Sequence, residues 1–505
     1  MKYIAKTCAV AFLALTLLGC DRSPANAAAS GGGGGGGAAA AAADKMVKLS
    51  SSGLATYTDV LVGADGTIHS VYTERPAYGK PEYLYYRTSK DNGKTWSEVK
   101  NLSDDESGHS ASYMRLVQDG AGRIYCVWKY IGANEILDGP GGYAAGRIVY
   151  RCLEGGTWSN RKALGDDKVP SYSWFAAVDP KGVAHIVWGQ MTKEGIKIRG
   201  WGSATYAGLV RQATLNGANS VVKDILIPPP IVTKEEQAEM SKKGIYVKYE
   251  DTVPKKDGLM NLRGYVDAEG IAHFVGEDQG IKDGPSDQQT GNRIRHWDGK
   301  KFSTLYMFEK YQTYNNFNNP PVLALDANGK EWLIRAPEKS EKQCVRAYPI
   351  TDGELGDFVN IIAPKSGPGL VANWQVATLA GGQLVLTAAF SETGGYDPED
   401  LELYMSRFDG KGNWSAPQQL TNNGSKTTSS HKATGAISSV DSVTSYKTKF
   451  TAATAGKDGA PVLTTVNTES TIVGINSAGT TGSGRAVIVS SGGRVDNPYV
   501  FFLKP

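Results

Sequence analysis

Within seven residues the stretch "HSASYMR" offers His109, Tyr113 and Arg115. A histidine or tyrosine can take up a proton and an arginine can neutralise a neighbouring carboxylate, and β-elimination on a uronic-acid polysaccharide needs both. Alternate side chains on a strand point to opposite faces, so these three need not converge. The stretches "SYSWFAAV", "LMNLRGYV", "YNNFNNPPVLAL" and "VANWQVATL" add Trp174, Asn261, Arg263, Asn318 and Trp374. Together with Tyr113 and Arg115 they suit a sugar, particularly an acidic one: aromatic faces stack on sugar rings, and arginine pairs bidentately with carboxylate or sulfate. The competing reading is that the aromatics fill the core between strands.

Metal chemistry has less support. His69, His185 and His273 occupy the same position in separate repeats, which spreads them apart, so they read as core or hydrogen-bonded histidines. No CxxC, CxxCH or HExxH spacing occurs, and neither a metal nor a cofactor is expected.

The elements that must position these residues repeat along the chain. Aligned on one glycine, it reads "GTIHSVY" at Gly66, "GRIYCVW" at Gly122, "GVAHIVW" at Gly182, "GIAHFVG" at Gly270 and "GKEWLIR" at Gly329, with weaker copies at Gly382 and Gly459. Each copy is a strand signal, and most follow a turn such as "DPKG" or "DAEG". Downstream lies a second hairpin signal, as in "IVYRCLEGGTWSNRKAL" and "LYMSRFDGKGNWSAPQQLT". Two hairpins per repeat make four antiparallel strands, and such units repeated make an all-β propeller. The copies favour seven blades. Six is the rival if the Ser/Thr-rich stretch 422–448 is a linker and the last copy is no blade.

The propeller body is expected over residues 45–505, with "KMVKLSS" or "NPYVFFL" closing the ring by pairing with the other terminus. In a four-stranded blade the first and third turns share one face of the ring, and these are short. The second loops and the connections between blades are long and share the other face, where binding is expected. The longest insertion suggests a short surface helix over 233–244: Thr233 is a possible cap, Glu235 and Glu236 lie in the first turn and Gly244 follows.

One third turn, "SKDNGKTW", resembles the Asp-box S-x-D-x-G-x-T-W of sialidases and other BNR-repeat propellers at Ser89, Asp91, Gly93, Thr95 and Trp96. Its physical reading is structural. Asp91 accepts backbone N–H groups across the turn, Gly93 supplies a backbone conformation closed to other residues, and Trp96 packs against the neighbouring blade. Decayed copies, "GTWS" from Gly156 and "GNWS" from Gly412, keep glycine, aromatic and serine without the aspartate. The resemblance implies a sialidase-like fold, but it stops short of that family's chemistry. No F/Y-R-I/V-P motif precedes the turn; Arg75 in "TERPAY" does not supply it, and Arg115 in "YMRLV" comes after the turn. A binding role for a glycan or a cell-surface protein therefore leads. The alternative is a glycosidase or polysaccharide lyase acting on acidic glycans.

Residues 1–20, "MKYIAKTCAVAFLALTLLGC", read as an export signal whose "LLGC" resembles a bacterial lipobox, with lipid carried on Cys20. Residues 21–44 contain no large apolar side chain until the propeller begins. They form a flexible Gly/Ala-rich tether of roughly 25 to 30 Å reach. The expected location is the cell envelope, lipid-anchored and extracytoplasmic. Lysine plus arginine number 54 against 51 aspartate plus glutamate, which gives nucleic acid no electrostatic foothold. Of five cysteines, Cys126 and Cys152 lie on neighbouring strands and could form a disulfide in an oxidising compartment, while Cys344 is expected to be a buried thiol.

Overall fold

The structure is a computed structural model of the whole chain, and it describes residues 45–50, 54–77, 80–103, 110–131, 137–138, 144–164, 171–191, 208–225, 238, 242, 260–278, 293–307, 321–337, 343–378, 384–394, 402–409, 412–420, 427–431, 437–455, 461–477, 486–489 and 495–502. The export signal, Cys20, the tether, His109 and Asn318 lie outside the described residues. So does the 233–244 helix, except for Ala238 and Lys242, which are helical.

Six four-stranded antiparallel blades form a β-propeller, the smaller of the two expected counts. Their innermost strands are Ala55–Val62, Ser110–Gln118, Ser171–Val178, Met260–Val266, Val322–Leu325 and Leu370–Thr378. Within each blade the strands pair in sequence order, and from the first blade to the sixth each innermost strand neighbours that of the next. The seventh copy is not a blade. It falls on Pro461–Ser477, which pairs with Ile437–Ala455 on one side and Val495–Phe502 on the other. This second sheet also takes in Thr427–His431, so the Ser/Thr-rich stretch is strand rather than linker. Lys45–Lys48 pairs with Val495–Phe502, and the two ends of the body thus meet as expected. The sheet packs against the innermost strands of the first and sixth blades.

Alternation along the strands builds the core. In the second blade Cys126, Trp128 and Tyr130 join a cluster with Val71, Leu84 and Tyr86 of the first blade. Tyr125 and Val127 point the other way, into a cluster with Ile186 and Trp188 of the third. Cys152 stands opposite Tyr125, not Cys126, and so belongs to that second cluster. The two thiols lie on opposite faces of one sheet, which rules out the disulfide; all three described cysteines are free and buried.

The first turns of the second to fifth blades share one device. Asp119, Asp179, Asp267 and Asp326 each accept, through Oδ1, the backbone N–H groups two and four residues ahead at 2.8–3.0 Å. Oδ2 accepts a donor six residues ahead: Tyr125 Oη at 3.0 Å, His185 Nε2 at 3.1 Å, His273 Nε2 at 3.0 Å and Trp332 Nε1 at 3.0 Å. Two of the repeated histidines are therefore hydrogen-bonded turn anchors. The third, His69, meets Tyr86 Oη at 2.6 Å, and burial pushes its pKa down to about 4.

The third turns carry another device. Ser97, Ser159 and Ser415 each accept, through Oγ, the backbone N–H of Thr88, Cys152 and Arg407 at 3.0 Å, which explains why serine persists in the decayed copies. Ser159→Ala leaves the Cys152 N–H without that partner. The expected loss is about 1 to 2 kcal/mol, read by urea denaturation.

Candidate functional site

The long-loop end of the channel is irregular in a repeated way. Near the start of the innermost strand, the register shifts between Ala55 and Thr58, Ser112 and Met114, Ser171 and Ser173, Met260 and Arg263, and Val371 and Asn373. Bulges kink a strand and re-aim its side chains, and they concentrate at the rims of sites. Tyr113 is the bulged residue of the second blade. Asn261, at the fourth, holds a left-handed backbone (φ 57°) and donates from Nδ2 to Glu277 Oε2 at 2.6 Å. That conformation is uncommon outside glycine, and here the Glu277 bond holds it.

Beyond the bulges, one layer of the innermost strands runs around the ring, with Phe175 and Val322 turned into the inter-blade cores. Seven positions before the turn glycines at 66, 122, 182, 270, 329 and 382 stand Asp59, Arg115, Phe175, Arg263, Val322 and Gln375. All six pair with the matching residue of the second strand, so they lie at one depth: Val71, Val127, Val187, Val275, Ile334 and Thr387.

Arg115 crosses between blades. Nη2 donates to Gln375 Oε1 of the sixth blade at 3.0 Å, and Nη1 lies 3.6 Å from Asp59 Oδ1 of the first. The other Asp59 oxygen accepts the Leu116 N–H at 2.8 Å. Burial raises the Asp59 pKa, and the opposing pull of Arg115 and of the backbone N–H groups does not cancel it. Arg263 turns to main-chain oxygens, donating from Nη1 to Trp174 O at 3.2 Å and Leu262 O at 2.8 Å. The Leu262 N–H donates to Ser173 Oγ at 2.6 Å, a third-to-fourth blade link that parallels the Leu116 N–H bond to Asp59.

Two anticipated platforms are packing residues. Trp174 is 7 % exposed among residues of the second and third blades, and Trp374 is 1 % exposed in the cluster of the fifth and sixth. Their large faces are spent on the inter-blade cores, the competing role read from sequence. Asp59 and Gln375 were not singled out from sequence. The signal was there: Asp59 is the one charged side chain of its inner strand and Gln375 one of two amides in its own, both at the spacing from the turn glycine that Arg115 also has.

The Ser89–Trp96 turn lies on the opposite, short-turn face. Asp91 Oδ1 accepts the Ser89 hydroxyl at 2.8 Å and the Thr95 N–H at 2.9 Å, its Oδ2 accepts the Thr95 hydroxyl, and Gly93, at φ 74°, donates its N–H to Ser89 Oγ. Trp96 packs on Leu49 and on Val60, Ile68 and Tyr72 of its own blade, not on a neighbouring blade. One decayed copy does reach across: Trp158 meets Tyr86 of the first blade edge-on at a 5.0 Å centroid distance, whereas Trp414 meets Phe408 of its own blade at 5.2 Å. On this face the first turns of adjacent blades touch, with Gly120 N–H donating to Gly182 O at 2.7 Å.

No family profile matches the chain, and no curated protein matches it. Solved structures similar to it include a family 25 polysaccharide lyase, an ulvan lyase (14 % identity, 69 % of this chain and 78 % of that one, TM-score 0.41). Another is the α-L-arabinanase of Penicillium chrysogenum complexed with arabinobiose (15 %, 73 % and 98 %, 0.42). A third is the intramolecular trans-sialidase of Ruminococcus gnavus (10 %, 89 % and 94 %, 0.34). These are glycan-active enzymes, and at such identities the likeness is one of propeller fold alone.

The Thr95 hydroxyl and N–H hold Asp91 well below the usual carboxylate range. A depressed acid contributes stability above its unfolded pKa and loses it as pH falls through the folded value. Asp91→Ala should therefore lower the thermal midpoint at pH 7, by a margin that shrinks on acidification. Ligand affinity at the opposite face should be unchanged, and a loss of affinity in a folded variant would reverse the assignment of faces.

Proposed function

We propose that the protein is a lipid-anchored bacterial envelope propeller that binds an acidic glycan in the channel on its long-loop face. The observation that carries this reading is Arg115. It stands in the channel layer, its side chain is 27 % exposed, and its partners there are one amide and one carboxylate whose closest N···O distance is 3.6 Å. A tight charge-assisted pair closes to roughly 2.7–2.9 Å, so the guanidinium keeps donor capacity for an incoming carboxylate or sulfate. Arg263, Asn261 and Gln375 supply further polar groups around the same ring of inner strands. A protein partner bearing acidic groups would use the same chemistry.

The Asp-box reading of Ser89–Trp96, supported by its closed hydrogen-bond circuit, assigns that turn a structural task. The lipobox ending at Cys20 supports anchoring, and the tether gives the propeller reach from the bilayer. Nucleic acid is not a partner in this reading.

One observation favours a second reading, an enzyme acting on acidic glycans. Asp59 combines raised proton affinity with a neighbouring guanidinium, and that pairing would serve general acid–base chemistry beside a bound carboxylate.

Purified protein on an array of acidic glycans tests both. Binding without release of reducing or unsaturated ends, weakened at least tenfold by Arg115→Ala (about 1.4 kcal/mol or more), is the expected result. Turnover abolished by the same substitution would establish the enzyme instead. Anchoring is tested separately: Cys20→Ala should release the protein from the membrane fraction and abolish palmitate labelling.

A further inference from the structure

We propose that Asp59 is a built-in competitor for the anion site of Arg115, so that capture of an acidic group in the channel is coupled to uptake of one proton by the Asp59 carboxyl. The inference rests on the reading of the channel as an anion site and adds its regulation.

The geometry puts a buried acid where a ligand's acid would go. Asp59 is 5 % exposed and comes from the first blade, whereas Arg115 comes from the second and is held toward the channel by Gln375 of the sixth. One Asp59 oxygen is fixed by the Leu116 N–H at 2.8 Å, and the other faces Nη1 across 3.6 Å. Two anions sharing one guanidinium in a poorly solvated channel repel each other, and the cheapest relief is for one of them to take a proton. A sulfate cannot do so near neutrality, so the proton goes to Asp59. Its carboxylate becomes a neutral carboxyl, with the proton supplied by the buffer.

Among the described residues, the surroundings supply no rival proton acceptor. Behind Asp59 lies the Cys126 thiol, kept neutral because burial pushes its pKa well up. The Ser70 hydroxyl is directed to the Asp59 main-chain oxygen at 3.3 Å, not to the carboxylate. The paired residue on the second strand is Val71. The terminal sheet packs on the same inner strand, but Asp59 points to the second blade, whereas Val60 faces the other way, into the cluster with Leu49. Arg115 is thus the charged group that faces Asp59 among the described residues. The raised proton affinity of Asp59 in the free protein already leans the same way.

The test is calorimetric titration of the full chain with inorganic sulfate from pH 5 to 8, in two buffers of different ionisation enthalpy. The expected result is a buffer-dependent heat equal to uptake of up to one proton, with affinity falling by up to tenfold per pH unit above the Asp59 titration. Asp59→Asn keeps an oxygen for the Leu116 N–H. It should bind sulfate with no proton uptake and equally well at pH 5 and pH 8, and Arg115→Ala should not bind. Buffer-independent heats in the native protein, pH dependence that survives in Asp59→Asn, or no sulfate binding at any pH would each overturn the proposal. If Asp59→Asn does not fold, the native heats decide alone. Arg115-dependent glycan binding without proton uptake would defeat this inference and leave the binding role standing. Proton-coupled sulfate binding with no glycan hit would do the reverse.

Discussion

A blade has two faces, and a closed ring must bury both. This constraint shapes most of what the chain does. Along Ile124–Ile131, alternate side chains serve two different interfaces, and the fully buried Trp128 and Trp188 each anchor one. Burying such side chains contributes on the order of 1.5 to 3 kcal/mol each, and no blade could gain this alone. The first and sixth blades gain cover for their innermost strands from the sheet in which the two ends of the body pair.

With the faces of the blades spent on packing, the loops and the ends of the innermost strands are left outside the inter-blade cores. The short-turn face is spent as well: aspartates lock the first turns of the second to fifth blades, and the first turns of the second and third blades hydrogen-bond directly. At the other end, five innermost strands are bulged among the described residues, and the layer below them breaks from apolar to polar at Asp59, Arg115, Arg263 and Gln375. Buried charge is costly unless paired and hydrogen-bonded. The 3.6 Å pairing of Arg115 with Asp59 is looser than that cost would favour.

Much of the fold was legible beforehand because it is periodic. The turn glycines, the two hairpins per repeat and the hydrogen-bonded turn at Ser89–Trp96 all follow from local patterns with a mechanical cause. The blade count did not, because "GAPVLTT" carries a strand signal whether it pairs into a blade or into a terminal sheet. The site was legible in part. Arg115 and Arg263 were recognised as charges near the channel, but Trp174 and Trp374 were drawn in by residue type alone, and an aromatic on an inner strand can face a ligand or a neighbouring blade. The six-residue spacing from Asp119 to Tyr125, Asp179 to His185, Asp267 to His273 and Asp326 to Trp332 was present in the sequence as well. Its meaning needed the observation that one donor side chain of three different kinds meets each turn.

By itself the sequence determined an all-β repeat architecture and the chemistry of its turns, because these depend on neighbours a few positions away. Only the tertiary structure decided that Cys126 and Cys152 face apart, that the seventh copy joins the chain ends, and that Asp59, Arg115 and Gln375 meet. Those three come from the first, second and sixth blades. Their contact depends on the curvature that closes the ring, a sum over every blade interface that no local stretch encodes.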